Sequence, residues 1–334
     1  MKVKNKDKQY FNEIALIIQD AKKNVYRSIN NSMIELYWKI GSYVSDKIKT
    51  ADWGKSIVEN LAGYLKSEYP DLKGFSARNI WRMKQFYEEY VNYPKLSALR
   101  TELSWTHHRL ILSKTKSIEQ KEFYLRLVKK ESYSTRELER QLDSAYFERI
   151  MLSNKKLTTS VKSLPQDVTN VFKDTYIFEF LNLPRNYSEN DLQKALLANL
   201  KDFILELGKD FSFIGEQYRV EVGMHDYYID LLFFHRELQC LVAFELKIAE
   251  FDPSFLGKLN FYLEALNRDV KKPHENPSIG VLLCTNKDTE VVEYALSTSI
   301  SPALVADYET KLIEKKLLQQ KLHEFIQILD RKTD

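Results

Sequence analysis

The chain has 334 residues, of which 44% are hydrophobic, with 9 glycines and 8 prolines. This composition excludes disordered and fibrous proteins, and the length suits about two domains. No run approaches the roughly 18 apolar residues of a membrane helix, so we expect no membrane association. We expect no signal peptide, because the N-terminus has basic residues but neither a long apolar core nor a small-residue cleavage site. Cys240 and Cys284 lie in apolar runs typical of buried free thiols, so we expect a cytoplasmic location.

The charge is distributed unevenly along the chain. Residues 1–150 carry 28 Lys and Arg against 19 Asp and Glu, whereas the remainder carries 22 against 28. This asymmetry indicates two domains with different tasks, and it makes nucleic acid a partner to consider for the first. The alternative is a basic surface with no ligand.

Apolar residues at three- and four-residue spacing predict a helical first half. The predicted helices are 10–29, 31–48, 54–69, 74–90, 117–130 and 134–151. Polar Asn30 and Asn31 separate the first two, Ser76 is the expected N-cap of the fourth, and Ser134 and Glu137 have the spacing of a capping box.

The helix predicted over 74–90 carries Arg78, Arg82 and Lys84 largely off its apolar stripe. Several short helices with one basic amphipathic member suit a helix-turn-helix or winged-helix module, in which these side chains would contact DNA. A solvated helix face is the alternative. We expect a DNA-binding, winged-helix-like domain over residues 1–152, and a polar linker over 153–167 containing Pro165.

The second half, residues 168–334, mixes helices and strands. We predict helices over 188–208, 254–270 and 288–297, strands over 211–222, 226–235, 238–248, 278–285 and 303–308, and a C-terminal helix from about 311. This order predicts an α/β domain, a mixed sheet with helices on its faces. The amphipathic C-terminal helix would pack on a partner or on its own sheet.

Three charged side chains interrupt the apolar strands of this domain. Asp230 lies in one strand, and Glu245 and Lys247 share one face of the next. Two adjacent carboxylates repel unless they share a proton or a cation, and their oxygens, with the Leu246 carbonyl, suit Mg²⁺ or Mn²⁺. Lys247 would orient a water and stabilise developing charge, as phosphodiester hydrolysis requires. A structural ion pair at a sheet edge is the alternative.

An aspartate on one strand and E-x-K on the next, between helices, resembles the pattern of the PD-(D/E)XK nucleases, and more closely of the YhcG-like family. The resemblance extends over 75–90, 103–113, 133–149, 191–220, 226–247, 256–266 and 276–284. It implies a helical, winged-helix-like domain followed by a restriction-endonuclease-like domain. It also implies that Asp230, Glu245 and Lys247 are catalytic.

Three positions depart from that pattern. Gln193 replaces a glutamate expected at the metal; Glu189, four residues earlier on the same helix face, is a substitute ligand or simply a first-turn acid. Gln217 matches a family position at the water shell of the metal, although Glu216 replaces the more common arginine before it. Lys258 replaces a more usual glutamine and is either a phosphate contact or a surface residue.

These observations predict a Mg²⁺-dependent DNA endonuclease. The alternative is a nuclease fold with weak or no catalysis, which binds nucleic acid or assembles complexes in a defence or DNA-repair system. Expected partners are DNA and either a second copy of the chain or proteins of a restriction or defence system. His107 and His108 have no further ligand at suitable spacing, so we expect packing roles for them, with Arg109 a phosphate contact.

Overall fold

The computed structural model describes residues 5–50, 55–152, 171–208, 210–299 and 301–323. The chain divides into two compact units, Met1–Glu139 and Arg140–Asp334. None of the helices described here is both long and apolar enough to cross a bilayer.

The first unit is helical throughout its described residues. Its helices are α1 (Asn5–Lys49), α2 (Lys55–Glu68), α3 (Ala77–Tyr90), α4 (Pro94–Leu99), α5 (Trp105–Lys114), α6 (Ile118–Glu131) and the start of α7 (Thr135–Asp143), with a 3₁₀ turn at Arg100–Glu102. No strand occurs among the described residues of this unit, so they contain no β wing.

Helix α1 is continuous, whereas two helices separated at Asn30 and Asn31 were predicted. The prediction was wrong because Asn30 does not cap a helix. Its side-chain Nδ2 instead donates to the carbonyl oxygens of Thr101, at 3.2 Å, and Leu103, at 3.0 Å. A polar side chain that bonds across to another segment leaves its own helix uninterrupted.

Helix α3 is held by its N-cap and by α1. Ser76 accepts a hydrogen bond from the Asn79 amide, as predicted. Gly41 of α1 lies so close to the Met83 carbonyl oxygen of α3 that a Cβ atom would overlap it. This close approach fixes the orientation of α3 and therefore of its basic residues.

The helix predicted over 134–151 is divided into α7 and α8 (Tyr146–Leu152). The capping box at its start is confirmed, since Ser134 and Glu137 exchange backbone-to-side-chain bonds. The helix breaks because Ala145 has a left-handed φ of 49°. Arg149 donates to both the carbonyl and the hydroxyl oxygen of Ser144, which stabilises the break.

Residues on both sides of the predicted linker contribute to the second unit. Arg140 Nη1 lies 2.7 Å from Glu206 Oε2, and Lys173 Nζ lies 2.9 Å from Glu206 Oε1. Burial would raise the pKa of Glu206, but Lys173, Arg149 and Arg140 outweigh it and hold the pKa at about 2. The linker 153–167 lies outside the described residues, and the boundaries 1–152 and 168–334 stay predictions.

A six-stranded mixed sheet forms the centre of the second unit. Its strands are β1 (Thr175–Ile177), β2 (Phe211–Val222), β3 (His225–His235), β4 (Cys240–Leu246), β5 (Ile279–Cys284) and β6 (Ala303–Glu309), in the spatial order β1-β6-β5-β4-β3-β2. β2, β3 and β4 pair antiparallel, whereas β4, β5, β6 and β1 pair parallel. The predicted strands are confirmed; three-residue β1 was missed because it is too short to show periodicity.

Helices cover both faces of this sheet, as predicted. One apolar core lies beneath α9 (Glu189–Ala198) and α10 (Leu200–Leu207), and the other beneath α11 (Phe255–Ala265) and α12 (Thr289–Ser297). The predicted helix 188–208 divides at Asn199, whose Nδ2 donates to the Ala195 carbonyl oxygen. A π-helical turn, Leu266–Val270, follows α11.

The described part of the C-terminal helix, residues 315–323, contacts its own chain. Leu318 is buried, and Gln319 Nε2 donates to Glu148 Oε1 over 3.2 Å. The helix therefore packs within the chain, but the contact shown here is with α8 and not with the sheet that was predicted. Cys240 and Cys284 are buried free thiols, as predicted.

We predict opposite effects for two glycine-to-alanine substitutions in helices of the first unit. Gly41→Ala should destabilise by about 1–3 kcal/mol, because its Cβ overlaps the Met83 carbonyl. Gly63→Ala should be neutral or stabilising by up to about 1 kcal/mol, because no atom lies within 4 Å of its Cβ position. Urea unfolding followed by Trp fluorescence reports this unit, since Trp38 packs on Phe86. Equal effects would contradict the close packing.

Candidate active site

The pairing of β3 with β4 positions the two predicted carboxylates. Leu231 is registered with Phe244, so the preceding Asp230 lies opposite the following Glu245. The Leu246 amide donates to Asp230 Oδ2 over 2.9 Å. The structure therefore brings Asp230, in the middle of β3, next to Glu245, near the C-terminal end of β4.

Glu245 is the most deeply buried side chain of the site, with 1% of it exposed. Its Oε1 lies 2.7 Å from Lys258 Nζ and 3.0 Å from Lys247 Nζ. Its Oε2 is buried and has no hydrogen-bond partner. An unpartnered carboxylate oxygen in the protein interior is costly, so this atom is a specific candidate for binding a cation.

Lys247 is held between two acids. Besides Glu245, its ammonium lies 3.2 Å from Glu189 Oε2, at the start of α9. Burial favours the neutral amine, but Glu245 and Glu189 outweigh it and raise the pKa of Lys247. Lys247 is therefore a charged donor at neutral pH.

Asp230 experiences the opposite influence. Burial and the neighbouring Glu245 raise the pKa of Asp230, and the hydrogen bond from the Leu246 amide only partly opposes them. Both effects disfavour a second negative charge beside Glu245. A bound cation would remove this penalty.

Gln193 and Gln217 lie on the Asp230 side of the site. Gln193 Nε2 donates to the Asp230 carbonyl oxygen over 2.8 Å, and Gln217 Nε2 lies 3.0 Å from Gln193 Oε1 and 3.3 Å from Asp230 Oδ1. Gln217 has a left-handed φ of 41° within β2, a conformation that costs about 1 kcal/mol or more for a residue with a side chain. The two amides thus orient Asp230.

The oxygen atoms at this site fit a hard divalent cation. Asp230 and Glu245 present carboxylates, the Glu245 Oε2 atom is unpartnered, and the Leu246 carbonyl lies between Glu245 and Lys247 in the chain. In the described part of the chain, no three or more His, Cys, Asp or Glu side chains form a metal-binding group. Carboxylate and carbonyl oxygens of this kind suit Mg²⁺, which keeps several waters.

Lys258 was expected at a phosphate or on the surface, and the structure places it on Glu245. It projects from α11, where its ammonium also lies 5.3 Å from the centre of the Tyr262 ring. Sequence reasoning missed Tyr262, whose hydroxyl donates to the Tyr228 carbonyl oxygen over 2.7 Å. The spacing of Lys258 and Tyr262, four residues apart on one helix, is the signal that would have paired them.

Three of the four basic residues predicted in the first unit form a cluster. Partial burial and the neighbouring guanidiniums of Arg109 and Arg78 lower the pKa of Arg82. Arg109 Nε is buried without a hydrogen-bond partner, and no carboxylate among the described residues forms an ion pair with any of the three arginines. Lys84 differs, because its ammonium lies 2.6 Å from Glu88.

The two adjacent histidines have packing and hydrogen-bonding roles. His107 Nε2 bonds to the Tyr133 carbonyl oxygen at 2.9 Å, and His108 Nε2 to that of Arg100 at 2.8 Å. Burial lowers the pKa of His108 to about 4, so its ring is neutral at physiological pH.

Comparison with known proteins defines the class of this fold. Residues 169–323 match the family model described as the YhcG PDDEXK nuclease domain, and residues 13–149 match the DUF1016 N-terminal domain. A protein of Escherichia coli K12 described as "Putative nuclease YhcG" is 30% identical over 352 residues, covering 94% of this chain and 93% of its own. The chain belongs to the YhcG family.

Solved structures show only distant similarity. A repair endonuclease from Pyrococcus abyssi is 14% identical, with a TM-score of 0.25, over 38% of this chain and 48% of its own. An EndoMS complex with double-stranded DNA is 13% identical, with a TM-score of 0.25, over 38% and 46%. Each match thus spans less than half of the solved chain.

A double-mutant cycle tests the amide contact between Gln193 and Gln217. We expect Gln193→Ala and Gln217→Ala to show a coupling energy of about 0.5–1.5 kcal/mol, because each single change already removes their hydrogen bond. Hydrogen exchange of β3 and β4 peptides measures the stability of the second unit separately. The control cycle combines Gln193→Ala with Arg219→Ala. Arg219 pairs with Glu221 and Asp226 and not with Gln193, so these two changes should be additive. Additive effects of the two glutamines would contradict the contact.

Proposed function

We propose that this protein is a divalent-metal-dependent DNA endonuclease that uses Mg²⁺, with Mn²⁺ able to replace it. The observation that carries the proposal is the buried, unpartnered Glu245 Oε2 beside Asp230. The family and the printed name of the Escherichia coli relative support the same class of activity.

The residues divide the chemistry between them. Asp230, Glu245 and the Leu246 carbonyl would hold the metal, which would neutralise phosphate charge and lower the pKa of a bound water. Lys247 would donate to the attacking water and stabilise negative charge developing on the phosphate. Gln193 and Gln217 would keep Asp230 oriented, and Glu189 would keep Lys247 in place.

The arginine cluster supports DNA as the substrate. Arg78, Arg82 and Arg109 bring three positive charges together without a carboxylate counterion among the described residues. Like charges gathered in this way favour an anionic ligand, and a DNA phosphate is the matching group for guanidinium. Lys84, paired with Glu88, would contribute less.

One observation favours a second function, a nuclease fold that binds nucleic acid or assembles complexes without cutting. Gln193 supplies a neutral amide where an acid is expected, and both ends of that amide are already engaged in hydrogen bonds. Calorimetry with Mn²⁺ separates the two functions. An endonuclease should bind Mn²⁺ and lose that binding in Asp230→Asn, whereas for a scaffold without a metal site the substitution should make no difference.

We expect Lys247→Ala and Asp230→Asn to lower cleavage of plasmid, linear or branched DNA by at least about a hundredfold in Mg²⁺. Lys201→Ala, which removes an exposed lysine of α10, is the matched control and should cleave as the wild type does. Circular dichroism checks that each variant is folded. If Lys247→Ala retains wild-type cleavage, the proposed mechanism is wrong.

We expect Arg82→Gln to weaken DNA binding several-fold and to lower the slope of log K against log salt concentration by about one, because one fewer phosphate is neutralised. Lys95→Gln removes the same charge from an exposed position on α4 and should have a smaller effect. Fluorescence anisotropy with labelled duplex DNA at several salt concentrations measures both. If both changes weaken DNA binding equally, the arginine cluster is part of a general basic surface and is not a specific DNA-binding site.

A further inference from the structure

Two lysines share one oxygen of Glu245. The ammonium of Lys258 lies 2.7 Å from Oε1 and that of Lys247 lies 3.0 Å from the same atom, whereas Oε2 has no partner. A single ion pair would satisfy Oε1. Glu245 therefore binds one more ammonium than Oε1 needs, and its other oxygen, Oε2, is the candidate metal ligand.

The two lysines differ in how firmly they are held. Lys247 is 15% exposed, belongs to the backbone segment directly after β4, and also pairs with Glu189. Lys258 is 49% exposed, reaches Glu245 from α11, and pairs with no other acid among the described residues. Of the two, Lys258 is the one that can leave Glu245 without breaking a second ion pair.

The surroundings of Lys258 offer its side chain another support. The Tyr262 ring lies 5.3 Å from the ammonium, and the hydrogen bond from its hydroxyl to the Tyr228 carbonyl fixes that ring. An ammonium near a fixed tyrosine ring keeps a favourable cation–π contact. Lys258 can therefore move away from Glu245 toward solvent and still rest on α11.

We propose that Lys258 is an internal competitor for the divalent cation: it neutralises Glu245 when the metal is absent and is displaced when the metal binds. This inference rests on the proposed function, because it concerns the same Glu245 carboxylate. A divalent ion on Oε2 repels both ammoniums on Oε1, and Lys258 is the one displaced because, unlike Lys247, it has no second acid among the described residues to hold it. The released ammonium then lies at the mouth of the site, where it can pair with a phosphate of the substrate.

This competition has a measurable consequence for metal affinity. Removing the charge at position 258 removes the ion pair that the metal must replace, so Lys258→Gln should bind Mn²⁺ roughly ten-fold more tightly than the wild type. Lys258→Met should do the same without a polar group. Lys258→Arg keeps the charge and should stay near the wild-type affinity.

The experiment is titration calorimetry of the full chain with MnCl₂, without DNA, on the wild type, the three Lys258 variants, Asp230→Asn and Lys201→Gln. Lys201 is an exposed lysine of α10, so its change matches the loss of charge outside the site and should leave the affinity unchanged. The rise in melting temperature on adding Mn²⁺ provides a second readout and should be larger for Lys258→Gln than for the wild type.

The outcomes separate this inference from the proposed function. If Asp230→Asn abolishes Mn²⁺ binding but Lys258→Gln and Lys258→Met bind as the wild type does, the metal site stands and the competition is refuted. If Lys258→Arg binds as tightly as Lys258→Gln, shape rather than charge is responsible and the inference also fails. If the wild type and Lys258→Gln bind no more Mn²⁺ than Asp230→Asn, the proposed metal site itself fails.

Discussion

The candidate site depends on one constraint, the pairing of β3 with β4 that places two carboxylates side by side in a sheet covered on both faces. Glu245 is buried and Asp230 is half-buried, so water screens their mutual repulsion weakly and protein groups must offset it. The Leu246 amide does this for Asp230, and Lys247 and Lys258 do it for Glu245. Two helices beside that strand pair supply further groups: α11 carries Lys258, and α9 carries Glu189, which holds Lys247.

Much of the sheet could be predicted because its strands are apolar runs bounded by turns. The predicted range 278–285, for example, contains β5 (Ile279–Cys284), every residue of which is buried. The helix boundaries that failed depend on tertiary partners instead. Asn30 resembles a helix boundary in the sequence, but its side chain donates to the carbonyl oxygens of Thr101 and Leu103 and the helix continues. The break before α8 is stabilised by the hydrogen bond from Arg149 to the Ser144 carbonyl oxygen. No local pattern contains this information.

The site shows the same division between local and tertiary information. The shared face of Glu245 and Lys247 follows from the two-residue period of a strand, and the short turn between β3 and β4 implies that Asp230 lies nearby. The contact of Lys258 with Glu245 depends on how α11 lies over the sheet, and the left-handed backbone of Gln217 follows from no propensity of glutamine. Both come from packing, which the sequence alone does not display.

The lysines of the candidate site offset much of the negative charge of its acids. Glu189, Asp230 and Glu245 face Lys247 and Lys258, which leaves a formal charge of −1 rather than the −3 of the three carboxylates alone. A nearly neutral site also repels an approaching phosphate less than bare carboxylates would. The second lysine thus both stabilises the site without metal and reduces its repulsion of an anionic substrate, at the cost of weaker binding of the ion.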